Sequence, residues 1–67
     1  MNENTGWVIR LAQEKFGPGF VSRFDHRLGA YRTLYPTGAQ VFQDPQEAAE
    51  MMTSRGFQPQ DFEVVKK

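Results

Sequence analysis

One helix with clear start and stop signals is the feature that most constrains the fold. Asp44 is a natural N-cap, Pro45 follows at the first helical position, and Glu47 completes a variant of the capping box. Arg55 and Gly56 supply a cation for the last turn and a residue suited to the left-handed conformation that ends many helices. The sequence therefore predicts one helix, which docks on a sheet through a stripe formed by Ala48, Ala49 and Met52.

Four other segments alternate in the way that is typical of half-buried strands: Trp7–Ala12, Phe20–Asp25, Tyr31–Tyr35 and Phe62–Val65. Turns are predicted at Gly17–Gly19 and Tyr35–Gly38, and a short extended stretch at Ala39–Phe42. The element order is β-β-β-α-β. It predicts an α+β fold, a small antiparallel sheet of three to four strands with one helix packed on one face.

Because a single helix covers one side of a sheet, alternation divides the strand residues into two groups. We expect the heavier group to face the helix: Trp7, Ile9, Leu11, Phe20, Phe24, Tyr31, Tyr35, Phe62 and Val64. We expect the lighter group on an uncovered face: Val8, Arg10, Val21, Arg23, Arg32, Leu34, Glu63 and Val65. Three arginines among aliphatic residues are unusual for a face that only meets water.

The length and the absence of cysteine limit the kinds of site that the chain can build. Its 67 residues make one domain, 1–67, in which we expect residues 1–6 to form a flexible N-terminus. A chain of this size buries only about 60% of the surface that its unfolded form exposes, so deep enclosed pockets are not expected. Zero cysteines exclude disulfides, thiolate metal sites and cysteine nucleophiles.

The chain begins with polar residues, and its longest apolar run is Trp7–Ile9, far below the roughly 20 residues that cross a bilayer. We therefore expect a cytoplasmic protein with no membrane contact. The formal net charge is zero, which argues against a simple nucleic-acid binder. The charges are uneven, because residues 1–35 carry five cations and three carboxylates and residues 36–67 carry the reverse.

Catalytic constellations are missing from the sequence. His26 is the single histidine, and although Asp25 precedes it, adjacent residues of a strand or turn point in different directions. Neither Ser22 nor Ser54 lies in a nucleophile elbow. Gly17–Gly19 lacks the Lys-Ser/Thr pair of a phosphate-binding loop. We expect no enzyme activity, no cofactor and no metal.

The uncovered sheet face is the candidate binding site. Arginine is enriched at interfaces because its planar fork grips carboxylates and phosphates bidentately. We expect a protein partner to bind at six residues, Arg10, Arg23, Arg32, Val8, Val21 and Leu34. The aliphatic members of this face could instead seal a homodimer by packing sheet on sheet, or the face could simply be solvated.

The alternative partner is a nucleic acid. In that case the arginines would contact phosphates and His26 would touch bases, and the binding residues would be Arg10, Arg23, Arg27, Arg32 and His26. Trp7 and Tyr31 could then touch bases, although aromatics on the helix-facing side are more typical of a core.

The closing part of the chain, from Ala39–Phe42 through Asp44–Ala49 and Arg55–Phe57 to Phe62–Val65, resembles a layout that recurs in small bacterial and phage accessory proteins. The layout covers about the last 30 residues. It is typical of a helix packed on a sheet and identifies no family. Short proteins of mobile elements often act as stoichiometric binders or inhibitors, so the resemblance implies a binding or inhibitory function without assigning any site.

Overall fold

The computed structural model describes residues 6–25 and 29–67. It contains strands β1 (Trp7–Leu11), β2 (Phe20–Asp25), β3 (Gly29–Thr33) and β4 (Phe62–Lys66), with helices α1 (Gln13–Phe16) and α2 (Pro45–Ser54). Single turns of 3-10 helix lie at Pro36–Gly38 and Pro59–Asp61. The predicted α+β class with one helix on a small antiparallel sheet is confirmed. The one-turn helix α1 and the second 3-10 turn were not predicted.

The four strands form one antiparallel sheet in the order β3-β2-β1-β4. Strand β1 pairs along its whole length with β4, from Trp7 opposite Lys66 to Leu11 opposite Phe62. Its pairing with β2 is confined to one end, where Arg10 lies opposite Phe20. Strands β3 and β4 are therefore the two edges of the sheet.

The loop before α2 closes the space where β1 and β2 diverge. Phe42 exchanges two backbone hydrogen bonds of 2.8 Å with Trp7, and the Gln40 N–H donates to the Val21 carbonyl at 3.0 Å. Phe42 is 5% exposed and meets Phe24 edge to face, with ring centroids 6.3 Å apart. The predicted extended stretch at Ala39–Phe42 thus satisfies backbone groups that the diverging strands leave free.

Helix α2 begins and ends where the sequence predicts, although the predicted cation, Arg55, is the C-cap and not a residue of the last turn. The Asp44 carboxylate accepts from the Gln46 N–H at 2.9 Å, and Pro45 occupies the first turn. At the other end Gly56 has φ +92, in the left-handed region. The Gly56 N–H donates to the Thr53 carbonyl, and the Phe57 N–H donates to the Met52 carbonyl. This double closure is a Schellman motif.

The core lies between α2 and the sheet. Its buried members are Ile9, Leu11, Val21, Phe42, Ala48 and Met52. Phe24, Phe62 and Val64 pack against them, as expected from alternation. Helix α2 lies over β1 and β4, whereas Phe16, Ala30 and Phe57 pack at the edge of the core beside β3.

A β-bulge in β2 changes which residues face the helix. The pairing of β2 with β3 shifts between Val21, opposite Arg32, and Arg23, opposite Tyr31, so that Ser22 is the extra residue. A bulge inserts one residue without a cross-strand partner and breaks simple alternation. Val21 and Phe24 consequently both lie on the helix side, although they are three residues apart.

The bulge makes several of the predicted face assignments wrong. Val21, expected on the uncovered face, is fully buried in the core, and its partner Arg32 lies with it on the helix side. Phe20 and Tyr31, expected under the helix, lie opposite Arg10 and Arg23 on the other face. The side of the sheet away from α2 is called the open face below, although Val8 on it is buried. Its described members are Val8, Arg10, Phe20, Arg23, Tyr31, Thr33, Glu63 and Val65.

Two further expectations about the strands need correction. Strand β3 ends at Thr33, earlier than predicted, because Leu34 and Tyr35 already lead into the turn at Pro36–Gly38. Tyr35 is 68% exposed and contributes nothing to the core. His26 and Arg27 lie outside the described residues. Within the described ranges, none of the helices has the length and apolar character needed to cross a membrane.

Candidate functional site

The first of the three predicted arginines, Arg10, is held in an ion pair on the open face. Its guanidinium donates to the Glu63 carboxylate at 2.5 Å, and Glu63 lies directly across the β1–β4 ladder. Both side chains are more than half exposed, so the pair contributes little to stability. The ion pair fixes the position of the Arg10 guanidinium. The guanidinium retains further N–H donors for a ligand.

Arg23 lies over an aromatic ring. Its guanidinium carbon is 4.5 Å from the centroid of Tyr31, and the Tyr31 hydroxyl donates to the Asp25 carboxylate at 3.0 Å. The cation stacks on the ring face while the hydroxyl is anchored at the ring edge. The cluster presents a flat, oriented guanidinium beside the edge strand β3.

Arg32 is not part of the open face. Its guanidinium donates to the Phe16 carbonyl at the end of α1, at 2.5 Å, on the helix side of the sheet. The predicted group of Arg10, Arg23 and Arg32 is therefore not assembled on one surface. Of the aliphatic residues expected beside them, Val21 is in the core and Val8 is 1% exposed, which leaves Leu34 accessible.

An open groove of about 720 Å³ lies at one end of the open face. It runs between the end of β1 and the starts of β2 and β4. Polar and charged groups come from Arg10, Gln13, Gln60 and Glu63, and apolar surface from Pro18, Phe20, Leu34 and Phe62. A shallow groove of mixed character fits a protein side chain or segment better than an enclosed small molecule.

One exposed apolar side chain, Leu34, lines this groove, and two others lie within a few residues of it in the chain. Among the described residues the large hydrophobic side chains that are exposed are Tyr31 at 40%, Leu34 at 58%, Tyr35 at 68% and Val41 at 37%. Three of these four fall within five residues of chain. Sequence reasoning selected Leu34 but placed both tyrosines in the core. Pro36, which begins the turn after β3, was the sequence signal that Tyr35 lies outside the strand and is exposed.

Asp61 is the one buried ionisable residue in the part of the chain that the structure describes. Its carboxylate accepts from the Gln58 N–H at 2.9 Å and from the Lys15 ammonium at 3.1 Å. The Gln58 hydrogen bond and the Lys15 cation hold the pKa of the Asp61 carboxyl below its usual value. Asp61 is therefore ionised at neutral pH and ties α1 to the turn before β4.

The remaining chemistry of the described residues is sparse. No group of three or more His, Asp or Glu side chains lies close enough to hold a metal ion within residues 6–25 and 29–67. Comparison with protein-family models finds no match, and comparisons with curated proteins and with solved structures find no significant similarity. Function must therefore be argued from the surface.

Proposed function

We propose that this protein is a non-enzymatic binding protein that acts by protein–protein contact through the open face and its groove. The observation that carries the proposal is the run of exposed Tyr31, Leu34 and Tyr35 within five residues of chain, of which Leu34 lines a groove with fixed polar groups. Apolar patches rimmed by polar residues mark interaction sites, and tyrosine and arginine are the residues enriched there. In a chain of this size, such a surface suits a stoichiometric binder or inhibitor.

The electrostatics of the open face support a protein partner. Arg10 is neutralised by Glu63, and the Tyr31 hydroxyl beneath Arg23 is bound to Asp25. Phosphate binding at Arg10 would compete with a carboxylate already in place, and Arg32 lies on the opposite side of the sheet. Within the described residues the arginines of the nucleic-acid alternative are therefore divided between the two sides of the sheet, which favours a protein partner.

The partner that we propose is a different protein. The homodimer considered from the sequence relied on Val8, Val21, Leu34 and Val65 to pack sheet on sheet. Val8 and Val21 are fully buried within one copy of the chain, so half of that set is not available to a second copy. We place the protein in the cytoplasm, because a chain without cysteine needs no oxidising compartment.

Affinity capture from extract of the native host, with and without nuclease treatment, tests the proposal. The Leu34→Asp variant puts a charge at the exposed apolar residue that lines the groove. The Gln43→Asp variant puts the same charge at an exposed position in the loop before α2. We expect a protein that is captured by the wild type and by Gln43→Asp but not by Leu34→Asp. Loss of every partner on nuclease treatment would support nucleic acid instead. Equal capture by both variants would contradict the choice of face.

A further inference from the structure

Strand β3 is one edge of the sheet that the described residues form. The sheet order leaves β3 with a partner on one side alone, and the Tyr31 carbonyl points towards that partner, where it accepts from the Ser22 hydroxyl at 3.2 Å. In an antiparallel strand the N–H and C=O of one residue point to the same side, and those of its neighbours point to the other. The N–H and C=O groups of Ala30 and Arg32 therefore point outward, away from β2.

Within the described residues this edge is lightly protected against strand addition, since its one charged side chain is Arg32. Natural edge strands are blunted by proline, by lysine or other charges, or by a covering element. The five residues Gly29–Thr33 contain no proline, lysine or carboxylate, whereas the other edge, β4, carries Glu63 and Lys66. The chain beyond β3 continues directly into the exposed Leu34 and Tyr35.

The charges beside this edge favour one kind of occupant. Arg23 lies on the open face over Tyr31, and Arg32 lies on the helix side. Each face of the edge therefore carries a cation, and the open face also carries the Asp25 carboxylate, which is bonded to the Tyr31 hydroxyl. Neither arginine forms an ion pair with a carboxylate of the described ranges. A second copy of β3 would bring the same cations against each other, whereas an acidic segment would complement them.

We propose that β3 is an addition site for an extended, acidic segment of the partner protein, which joins the sheet as a fifth strand. The inference rests on the proposed function and specifies how the partner binds. Backbone hydrogen bonds to Ala30 and Arg32 provide the affinity, in the manner of β-augmentation. On the open face an apolar side chain of the added strand packs on Tyr31, and on the helix side a carboxylate meets Arg32.

Selection from a random peptide library displayed on phage, with the folded protein as bait, tests this mode of binding. We expect enriched peptides that alternate acidic and apolar residues. At a peptide concentration ten times the dissociation constant, hydrogen exchange at the amides of Ala30 and Arg32 should slow about tenfold. The amide of Tyr31 already faces β2 and serves as the internal control. No enrichment, or slower exchange confined to other segments, would overturn the proposal.

Two variants of Arg32 separate the backbone contribution from the charge. Arg32→Pro and Arg32→Ala both remove the guanidinium, but only the first removes the outward N–H. We expect Arg32→Pro to bind the selected peptide at least about tenfold more weakly than Arg32→Ala, the size of one lost hydrogen bond. Equal binding by the two would overturn strand addition. If Arg32→Pro does not fold, Arg32→Glu serves as the test, because it should select basic peptides, and an unchanged acidic preference would overturn the proposal.

The same variants distinguish this inference from the proposed function. A captured host protein that is lost with Leu34→Asp but binds Arg32→Pro and Arg32→Ala equally would leave the open face as the binding site and remove strand addition. A partner that binds Leu34→Asp as well as the wild type would contradict the proposed function itself.

Discussion

Replacing Val21 and Leu34 separately by alanine tests the bulge that defines the open face. Simple alternation puts both side chains on one exposed face, where both substitutions would be harmless. In the structure Val21 is fully buried in the core and Leu34 is 58% exposed. The two substitutions should therefore differ sharply in their effect on the free energy of unfolding.

The size of the difference follows from the groups removed. Val21→Ala deletes two buried carbons, at about 0.8 kcal/mol each, and leaves a small cavity, for a total of about 2 kcal/mol. Leu34→Ala removes exposed atoms and should stay within about 0.5 kcal/mol. The loss at Val21 is large against the roughly 3 to 10 kcal/mol of stability expected for 67 residues.

Urea denaturation followed by circular dichroism measures both variants. With a denaturant slope of about 1 kcal/mol per molar for so small a chain, Val21→Ala should lower the midpoint by about 2 M and Leu34→Ala by less than about 0.5 M. Similar midpoints for the two variants would refute the bulge, and with it the placement of Tyr31 and Phe20 on the open face.

Three further predictions concern individual contacts. Because its folded pKa is lowered, Asp61 stabilises the fold fully above its ordinary pKa of 3.8 and loses that effect as the pH falls below it. The difference in urea midpoint between wild type and Asp61→Asn should therefore be large at neutral pH and shrink as the pH is lowered below 3.8. Asp44→Ala should lower the free energy of unfolding by about 1 kcal/mol through loss of the N-cap, and an unchanged thermal midpoint would count against that hydrogen bond. Arg10→Gln breaks an exposed ion pair with Glu63 and should change stability by less than about 1 kcal/mol in urea, so a larger loss would mean that the pair is more buried than the structure shows.

Local signals predicted the elements of the fold well. Asp44, Pro45 and Gly56 carry backbone-specific chemistry, a cap, a fixed φ and a left-handed stop, and α2 begins and ends where they indicate. Strand β1 also follows alternation, since Ile9 and Leu11 lie in the core. These features depend on residues close in sequence, so a single sequence is enough to predict them.

The faces of β2 and β3 could not be predicted in the same way. One extra residue at Ser22 shifts the phase of the pattern, and nothing in the local sequence marks that position. Phe20 and Tyr31 are large and were assigned to the core by size, but the register opposite Arg10 and Arg23 decides their side. Register depends on residues far apart in the chain, which is why the arginine group predicted from alternation does not exist.

The positions of the Ala39–Phe42 stretch and of the groove also depend on residues far apart in the chain. The stretch at Ala39–Phe42 was predicted as extended, yet its place between the diverging ends of β1 and β2 follows from long-range hydrogen bonds to Trp7 and Val21. The groove beside Leu34 arises from the ends of several strands at once, together with the turn anchored by Asp61. Individual lining residues could be selected from the sequence, but their assembly could not.

Hydroxyl-radical footprinting of the protein in nuclease-treated host extract, compared with the protein in buffer, tests the central claim most directly. Oxidation reports the solvent exposure of each side chain without assuming which partner binds. We predict that Tyr31, Leu34 and Tyr35 become protected in the extract, while Met51 on the helix side keeps its reactivity. Protection of Met51 with unchanged oxidation of Tyr31, Leu34 and Tyr35 would contradict binding through the open face.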